Sequence, residues 1–201
     1  MYYLVRAIIG AIFFVIAVVI CRRFFRGSRP KRAAVGAAAC LLWILSGIVP
    51  FENWFYTFPS LEAAYKYYGK SAQYVAVEGE SSALVITQDS RRRNTQYIKF
   101  FVKEKDGWGL SSAFDLKVQL TASEGNFWIH VYRYKDSEDF FVMLSDWNYK
   151  QLQVSDQYGT GFIEHSWPDN VEEYSYYGFI RSWAEPYIVV INGRGVVFES
   201  K

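Results

Sequence analysis

The segment that most constrains the fold is residues 22–32, which reads RRFFRGSRPKR and carries six positive charges. An apolar run lies on each side of it. Residues 1–21 contain the single charge of Arg6, near the outer end where its side chain can reach the lipid headgroups, and residues 33–50 contain none. Helices of these lengths, at about 1.5 Å per residue, match a hydrocarbon core of about 30 Å. The sequence therefore predicts two transmembrane helices joined by a basic loop.

The charges also predict the orientation of this hairpin. Because Lys and Arg in short loops remain in the cytoplasm, we expect residues 22–32 inside and both the N-terminus and the C-terminal domain outside. A cleaved signal peptide carries basic residues before its apolar run and small residues at its end. Here the basic residues follow the run, directly after Val19, Ile20 and Cys21. We therefore expect residues 1–50 to form a two-helix anchor in the cell membrane, with the lipid bilayer as its partner.

The rest of the chain, residues 51–201, has the size of one domain and can bury about 70% of its unfolded surface. Seven of the 22 basic residues and none of the 20 acidic ones lie in the first fifty positions, so this domain has a net charge of −5. Nucleic-acid binding requires a basic exposed surface and is not predicted. Both cysteines, Cys21 and Cys40, lie in the anchor. An outer domain without disulfides depends on its core, which favours a bacterial surface over an animal one.

Residues 51–71 join the anchor to the outer domain. They begin with aromatic residues of the kind found at membrane interfaces, namely Trp54, Phe55 and Tyr56. Ser60 is predicted to cap a short amphipathic helix that Gly69 ends. The apolar face of this helix consists of Leu61, Ala64, Tyr65 and Tyr68. We expect the helix to lie beside the membrane or to cover the outer domain, with its apolar face in the core.

From residue 72 to residue 201 the apolar residues alternate with polar ones, which is typical of half-buried strands. Eight to ten short strands with regular turns are predicted, and Asp106-Gly107 and Asn192-Gly193 are expected to form type I′ hairpin turns. The predicted fold is therefore an α-helical transmembrane hairpin followed by a mainly-β extracytoplasmic domain, an antiparallel sandwich or a curved sheet, with one short helix.

The sequence of the outer domain offers little catalytic or metal-binding chemistry. His165 has polar neighbours in Ser166 and Asp169, but three residues within five positions of a turn rarely attain the geometry of a nucleophile, a base and an orienting group. Two distant histidines without an outer cysteine do not make a zinc site. Glycine-rich phosphate loops are absent. We therefore predict no catalytic residue, no metal site and no cofactor.

One acidic turn, formed by Asp136, Glu138 and Asp139, has the residue types of a calcium site. It lacks the twelve-residue loop pattern with its central glycine. A solvated turn is therefore the better interpretation.

Two groups of residues are candidate ligand contacts. Arg91, Arg92 and Arg93 form a cationic cluster between two predicted strands, which would attract anionic headgroups or an anionic polymer, although a solvated loop is the simpler interpretation. Trp147 and Trp167 lie in turn-rich stretches where exposed rings could stack on sugars. Aromatic residues also fill the cores of small β domains, so core packing is the favoured interpretation and sugar binding is the alternative.

Two stretches carry a resemblance to a known group of proteins. An apolar helix followed by Pro50-Phe51-Glu52-Asn53, an aromatic stretch and the helix of residues 60–68 resembles uncharacterised membrane proteins of Gram-positive bacteria, as does the closing YSYYGFI…PYIVVINGRG. The resemblance covers roughly forty residues. It implies the architecture of anchor and outer domain, and it implies no activity.

Three functions are compatible with this sequence. A membrane-anchored, non-enzymatic module that binds or assists an envelope protein is favoured, because the outer domain shows no catalytic pattern and has strand edges and aromatic residues to offer. A module that binds a cell-wall glycan or an anionic polymer is the alternative. A hydrolase with an unrecognised site is the third.

Overall fold

The computed structural model describes residues 2–25, 28–48, 50–69, 73–89, 92–104, 106–112, 115–135, 137–146, 151–167 and 170–199. Its N-terminal part consists of two helices, α1 (Tyr2–Phe24) and α2 (Arg29–Ile48), which pack antiparallel. The indole N–H of Trp43 in α2 donates to the carbonyl of Arg6 in α1 at 3.3 Å. A Cβ at Gly10 would lie 2.4 Å from Nε1 of Trp43. The tryptophan ring therefore lies against α1 because position 10 is glycine.

The basic segment is more helical than predicted. α1 continues through Arg22 and Arg23, and α2 already begins at Arg29, so only residues 25–28 separate the two helices. Arginine and lysine are good helix formers, and cations at the C-terminal end of a helix interact favourably with its dipole. The predicted eleven-residue loop is therefore wrong in length.

One helix in the described part of the chain, Leu4–Phe24, is long and apolar enough to cross a membrane. Only 11% of this span is buried inside the protein, which distinguishes it from the core helix of a globular domain, while a signal sequence meets the same criteria. The prediction of two such helices is therefore supported for α1 and not for α2, whose described residues do not meet these criteria. Helix α2 starts with Arg29, Lys31 and Arg32, which make its first turn strongly polar.

The short amphipathic helix is confirmed as α3 (Leu61–Tyr68), and it follows a 3₁₀ turn at Phe51–Trp54. The hydroxyl of Ser60 accepts a hydrogen bond from the N–H of Ala63 at 3.1 Å, as expected of an N-cap. All four residues of the predicted apolar face are buried, namely Leu61, Ala64, Tyr65 and Tyr68. Gly69 ends the helix in an extended conformation.

The described residues after α3 form twelve antiparallel strands in three sheets. The first sheet has the order of its strands in the chain, β1 (Val75–Glu78), β2 (Ser82–Asp89), β3 (Arg92–Glu104) and β4 (Gly107–Leu110). The second sheet has the order β5-β6-β7-β10-β9, from β5 (Leu116–Glu124), β6 (Phe127–Tyr134), β7 (Phe140–Asp146), β9 (Ile163–Trp167) and β10 (Asn170–Ile180). The third has the order β12-β11-β8, from β8 (Val154–Asp156), β11 (Tyr187–Ile191) and β12 (Arg194–Phe198).

The sheets and α3 stack in four layers. α3 covers one face of the first sheet, and the buried sheet residues beneath it include Ala83, Val85 and Phe101. The other face of the first sheet packs on the second sheet through residues such as Leu84, Ile86, Phe100, Phe141 and Tyr177. The opposite face of the second sheet packs on the third through residues such as Ile129, Val142, Tyr176, Val189 and Phe198. The antiparallel, mainly-β prediction is confirmed, and its sandwich has three sheets.

The two predicted glycine turns differ. Asn192 and Gly193 have φ angles of +50° and +82°, and Ile191 is paired with Arg194, so this type I′ turn is confirmed. In the other hairpin Gly107 is paired with Glu104 and is the first residue of β4, so it does not lie in the turn. The type I′ assignment for Asp106-Gly107 is therefore wrong.

Candidate functional site

An open cleft with a volume of about 1280 Å³ lies between the second and third sheets. It is bordered by β5, which is the terminal strand of the second sheet, and by β12, the terminal strand of the third. These two strands approach to within 8 Å between Cα atoms. Residues 121–124 of β5 and 194–198 of β12 all line the cleft. Because successive residues of a strand face opposite sides, lining by consecutive residues means that the edges of both strands border the cleft.

The hairpin geometry shows which backbone groups of β12 point away from its partner strand. Ile191 and Arg194 are directly opposed next to the two-residue turn, where such a closing pair exchanges both of its backbone hydrogen bonds. The pattern alternates along the strand, so the N–H and C=O groups of Gly195 and Val197 point toward the free edge. An added strand could therefore pair with β12 at these two residues.

The cleft combines an apolar floor with charged and aromatic residues at its rim. Phe127, Leu152 and Phe198 line it and belong to the core between the second and third sheets or pack against that core. Glu124 and Arg194 provide opposite charges along the two bordering strands. Trp128 also lines the cleft and is 45% exposed. This mixture suits a ligand with alternating apolar and polar groups.

Polar chemistry also gathers where the helices meet the β-rich part of the chain. Nη2 of Arg6 lies 2.7 Å from Oε2 of Glu52, and Arg6 is only 7% exposed. From the sequence, the Arg6 side chain is expected to reach the lipid headgroups, because the second apolar run contains no acidic residue. Its partner lies in the 3₁₀ turn directly after α2, and only the folded hairpin brings that turn beside the start of α1.

The segment between α2 and α3 is in turn tied to the first sheet. The side chain of Asn53 donates to the carbonyl of Leu110 at 2.7 Å and accepts from the hydroxyl of Tyr68 at 3.1 Å. The backbone of Phe58 exchanges two hydrogen bonds with that of Trp108, at 2.8 and 2.7 Å. These contacts link the segment that follows the helical hairpin to α3 and to β4.

Of the residues predicted from sequence as ligand contacts, Trp167 is the one whose side chain the structure describes, and it does not line this cleft. Trp167 is 1% exposed, and its indole N–H donates to the hydroxyl of Tyr177 at 3.3 Å. The core-packing interpretation is therefore confirmed for Trp167, and the sugar-contact interpretation is wrong for it, because the face of β9 that carries it is covered by the first sheet. Arg92 and Arg93 begin β3 rather than lying in a loop, and their side chains fall outside the described structure, as do Arg91 and Trp147 entirely.

The structure separates the candidate catalytic residues of the second sheet. His165 and Ser166 are successive residues of β9 and therefore face opposite sides of the sheet, while Asp169 lies outside the described residues. The ring of His165 packs edge-on against Trp167 with 4.4 Å between centroids. Burial lowers the pKa of His165. The sequence neighbours Ser166 and His165 therefore do not form a nucleophile and its base.

Another serine lies directly opposite His165, and no local sequence pattern indicates this pairing. Ser175 of β10 is the register partner of His165, and its hydroxyl lies 3.3 Å from that of Ser145 in β7. Ser175 is completely buried and Ser145 is 6% exposed. A substrate cannot reach a hydroxyl that is closed off between two sheets, so this pair of serines has the environment of a structural hydrogen bond.

Asp139 corrects the interpretation of the acidic turn as solvated. It is 3% exposed, and its carboxylate accepts hydrogen bonds from the hydroxyl groups of Ser81 and Ser82 at 2.8 and 2.7 Å. The backbone N–H groups of Glu80 and Ser81 donate to the same carboxylate. Burial alone would raise the pKa of Asp139, but these hydrogen bonds outweigh it and hold the pKa below its ordinary value. The carboxylate thus joins the β1–β2 turn to the start of β7.

Neither metal chemistry nor similarity to known proteins adds a function to these sites. Within the described ranges, no group of three or more His, Cys, Asp or Glu side chains is placed to hold a metal ion. Comparison of the chain with protein-family models, curated proteins and solved structures returns no match. The cleft is therefore interpreted from its own geometry.

Proposed function

We propose that this protein is a membrane-anchored, non-enzymatic module that binds an extended segment of an envelope protein outside the cytoplasm. The observation that carries the proposal is the cleft bordered by two free sheet edges. Extended peptides commonly bind by adding a strand to such an edge, where main-chain hydrogen bonds give affinity and alternate side chains give specificity. Gly195 and Val197 present the backbone groups that such a peptide requires, and the apolar floor receives its alternate side chains.

The helical hairpin is the anchor of this proposal, with both α1 and α2 crossing the membrane. Beyond the span of α1, five successive large apolar residues of α2 are 43 to 59% exposed, namely Leu41, Leu42, Trp43, Ile44 and Leu45. An exposed surface of this kind is stable in lipid and not in water. The basic residues 22–32 support a cytoplasmic connection, which places both chain termini outside.

A reporter fused after Lys201 tests this topology. An enzyme that is active only outside the cytoplasm, such as a periplasmic-type phosphatase, should be active in the fusion. Activity of a reporter that works only in the cytoplasm would reverse the proposed orientation. The same fusion to a chain that lacks α1 serves as the control, since α1 starts the hairpin.

Photo-crosslinking in intact cells tests the cleft. A photoreactive amino acid at position 194 in the exposed rim should form a discrete adduct with one protein, whereas the same group at position 163 on the free edge of β9 should not. Val197→Pro removes the N–H that points to the free edge and should abolish the adduct, because proline is tolerated on edge strands but cannot donate. Val197→Thr keeps the N–H and should retain it. Equal adducts at positions 194 and 163 would contradict the proposal.

A cell-wall glycan is the second candidate for the same cleft, and Trp128 is the observation that favours it. Trp128 lines the same cleft as Glu124, Asn192 and Arg194, and an exposed indole can stack on a sugar face while polar groups bind the hydroxyls of the sugar. Detergent-solubilised full-length protein should then be retained on purified wall polysaccharide, and Trp128→Ala should reduce retention at least tenfold. Tyr97→Ala removes another exposed ring, 48% exposed and not among the residues that line the cleft, and is the matched control.

A further inference from the structure

We propose that the groove between α1 and α2, at the end next to their connection, binds one anionic phospholipid. The groove has a volume of about 380 Å³. This volume falls within the range of about 300 to 1,000 Å³ that is usual for ligand sites. The proposal rests on the membrane anchor of the proposed function and is independent of the cleft between the sheets.

Small residues form the groove, and the space beside them is filled at one end of the helix pair and open at the other. At the outer end the space beside Gly10 is filled by the ring of Trp43. At the other end a Cβ at Gly36 would meet no atom within 4 Å. Ala17 and Ala39 line the same groove, and Phe14 flanks it. Small residues usually let helices approach closely in a membrane, but here they leave a space that an acyl chain can fill.

The charges at the end of the groove select the headgroup. Arg22 from α1 and Arg32 from α2 both line it, and Nε of Arg32 donates to the carbonyl of Phe25 at 2.7 Å, which holds its side chain near the connection. No acidic residue precedes Glu52 in the chain. Guanidinium groups bind phosphate with paired hydrogen bonds, and basic clusters at the cytoplasmic end of membrane helices attract anionic lipids. An acyl chain in the groove would place its headgroup at these arginines.

Native mass spectrometry of the full-length protein in detergent micelles tests the proposal. Phosphatidylglycerol should bind with one equivalent and at least tenfold more tightly than phosphatidylcholine with the same acyl chains. The double variant Arg22→Gln, Arg32→Gln should lose this preference. The matched control, Arg23→Gln with Arg29→Gln, removes the same charge from the same two helices but does not alter the groove, and should bind as the parent does.

Variants that fill the groove test the contribution of the acyl chain to binding separately from that of the headgroup. Gly36→Leu and, independently, Ala39→Leu should reduce phosphatidylglycerol binding at least tenfold although every arginine remains, and circular dichroism should show unchanged helix content in at least one of the two. Equal binding of both lipids, or equal loss in the Arg23/Arg29 control, would overturn the proposal in favour of general charge attraction. Competition by sn-glycerol 3-phosphate at the same concentration would also overturn it. The reporter fusion after Lys201 measures the membrane topology of the anchor independently of lipid binding, because none of these variants removes a helix.

Discussion

The two outer sheets of the protein are built on different principles. The first sheet is covered on both faces, by α3 and by the second sheet, and residues 82–87 of its strand β2 are all buried. Among the described residues the third sheet is covered on one face only, and its strand β11 alternates between buried residues and more exposed ones. The covered sheet therefore depends on contacts with distant segments, whereas the half-open sheet leaves an edge and a face for a ligand.

An aspartate forms hydrogen bonds with residues of each outer sheet, and the two aspartates act over different distances in the chain. Asp139 directly precedes β7 of the second sheet and accepts hydrogen bonds from the turn between β1 and β2 of the first sheet, more than fifty residues away in the chain. It therefore joins the first and second sheets. Asp156 accepts from the hydroxyl of Thr160 at 2.6 Å within its own turn and from the hydroxyl of Tyr187 at 2.6 Å within its own sheet. The first sheet is thus fastened to the rest of the molecule by polar contacts, and the third is fastened mainly by its apolar face.

Removing α3 should produce the largest effect, since it uncovers the first sheet. A chain that begins at Pro50 retains α3 and should unfold cooperatively in denaturant, while a chain that begins at Ala72 should not. Burial of Leu61, Tyr65 and Tyr68 contributes on the order of 5 to 9 kcal/mol, comparable with the whole stability of a domain. If the chain that begins at Ala72 unfolds cooperatively at the same denaturant concentration as the chain that begins at Pro50, α3 is not part of the core.

The substitution Gly107→Val should destabilise the covered side strongly. The φ angle of Gly107 is +146°, and a Cβ there would lie 2.2 Å from the carbonyl oxygen of Phe58. Backbone strain and loss of the two hydrogen bonds between Phe58 and Trp108 together should lower the free energy of unfolding by about 3 to 5 kcal/mol. Chemical denaturation measures this effect. A loss below that of the open-side variant Gly193→Val would mean that the Phe58 contact is not formed.

Asp139→Ala should lower the free energy of unfolding by about 2 to 4 kcal/mol, because it leaves buried hydroxyl and N–H donors without their acceptor. The sign of the pH dependence follows from the lowered pKa of Asp139. Its contribution is complete above the ordinary value of 3.8 and is lost as the pH falls through the lower pKa of the folded state. Asp139→Asn retains the shape and removes the titration. The free energy of unfolding, measured by chemical denaturation from pH 6 to pH 2, should therefore fall more steeply for the parent than for Asp139→Asn. The same pH dependence in both proteins would show that the Asp139 carboxylate does not stabilise the fold through these hydrogen bonds.

Gly193→Val on the half-open sheet should have the smallest effect. Gly193 has a φ angle of +82°, but a Cβ there would meet no atom within 4 Å. Only the backbone conformation resists the change, so the free energy of unfolding should fall by about 1 to 3 kcal/mol. Gly193→Asn, which tolerates positive φ, should cost less than Gly193→Val. Equal decreases in the free energy of unfolding for Gly107→Val and Gly193→Val would show that the covered and the half-open sheet do not differ in this respect.

The sequence by itself determined the features that depend on neighbouring residues. The cap at Ser60, the apolar face of α3 and the Asn192-Gly193 turn were all predicted at their observed positions, because a cap, a helical period and a two-residue turn involve side chains only a few residues apart. The apolar character of α1 was equally evident.

Only the tertiary structure decided the features that depend on distant segments. Stacking of three sheets buries Trp167 and Asp139, which lie in stretches that look exposed in sequence, and the folded hairpin gives Arg6 its partner Glu52. The cleft is of the same kind, since β5 and β12 are separated by about seventy residues in the chain, and Trp128 and Arg194 both line the cleft that these strands border. Local periodicity reports which face of a strand is apolar, but it contains no information on which other layer covers that face.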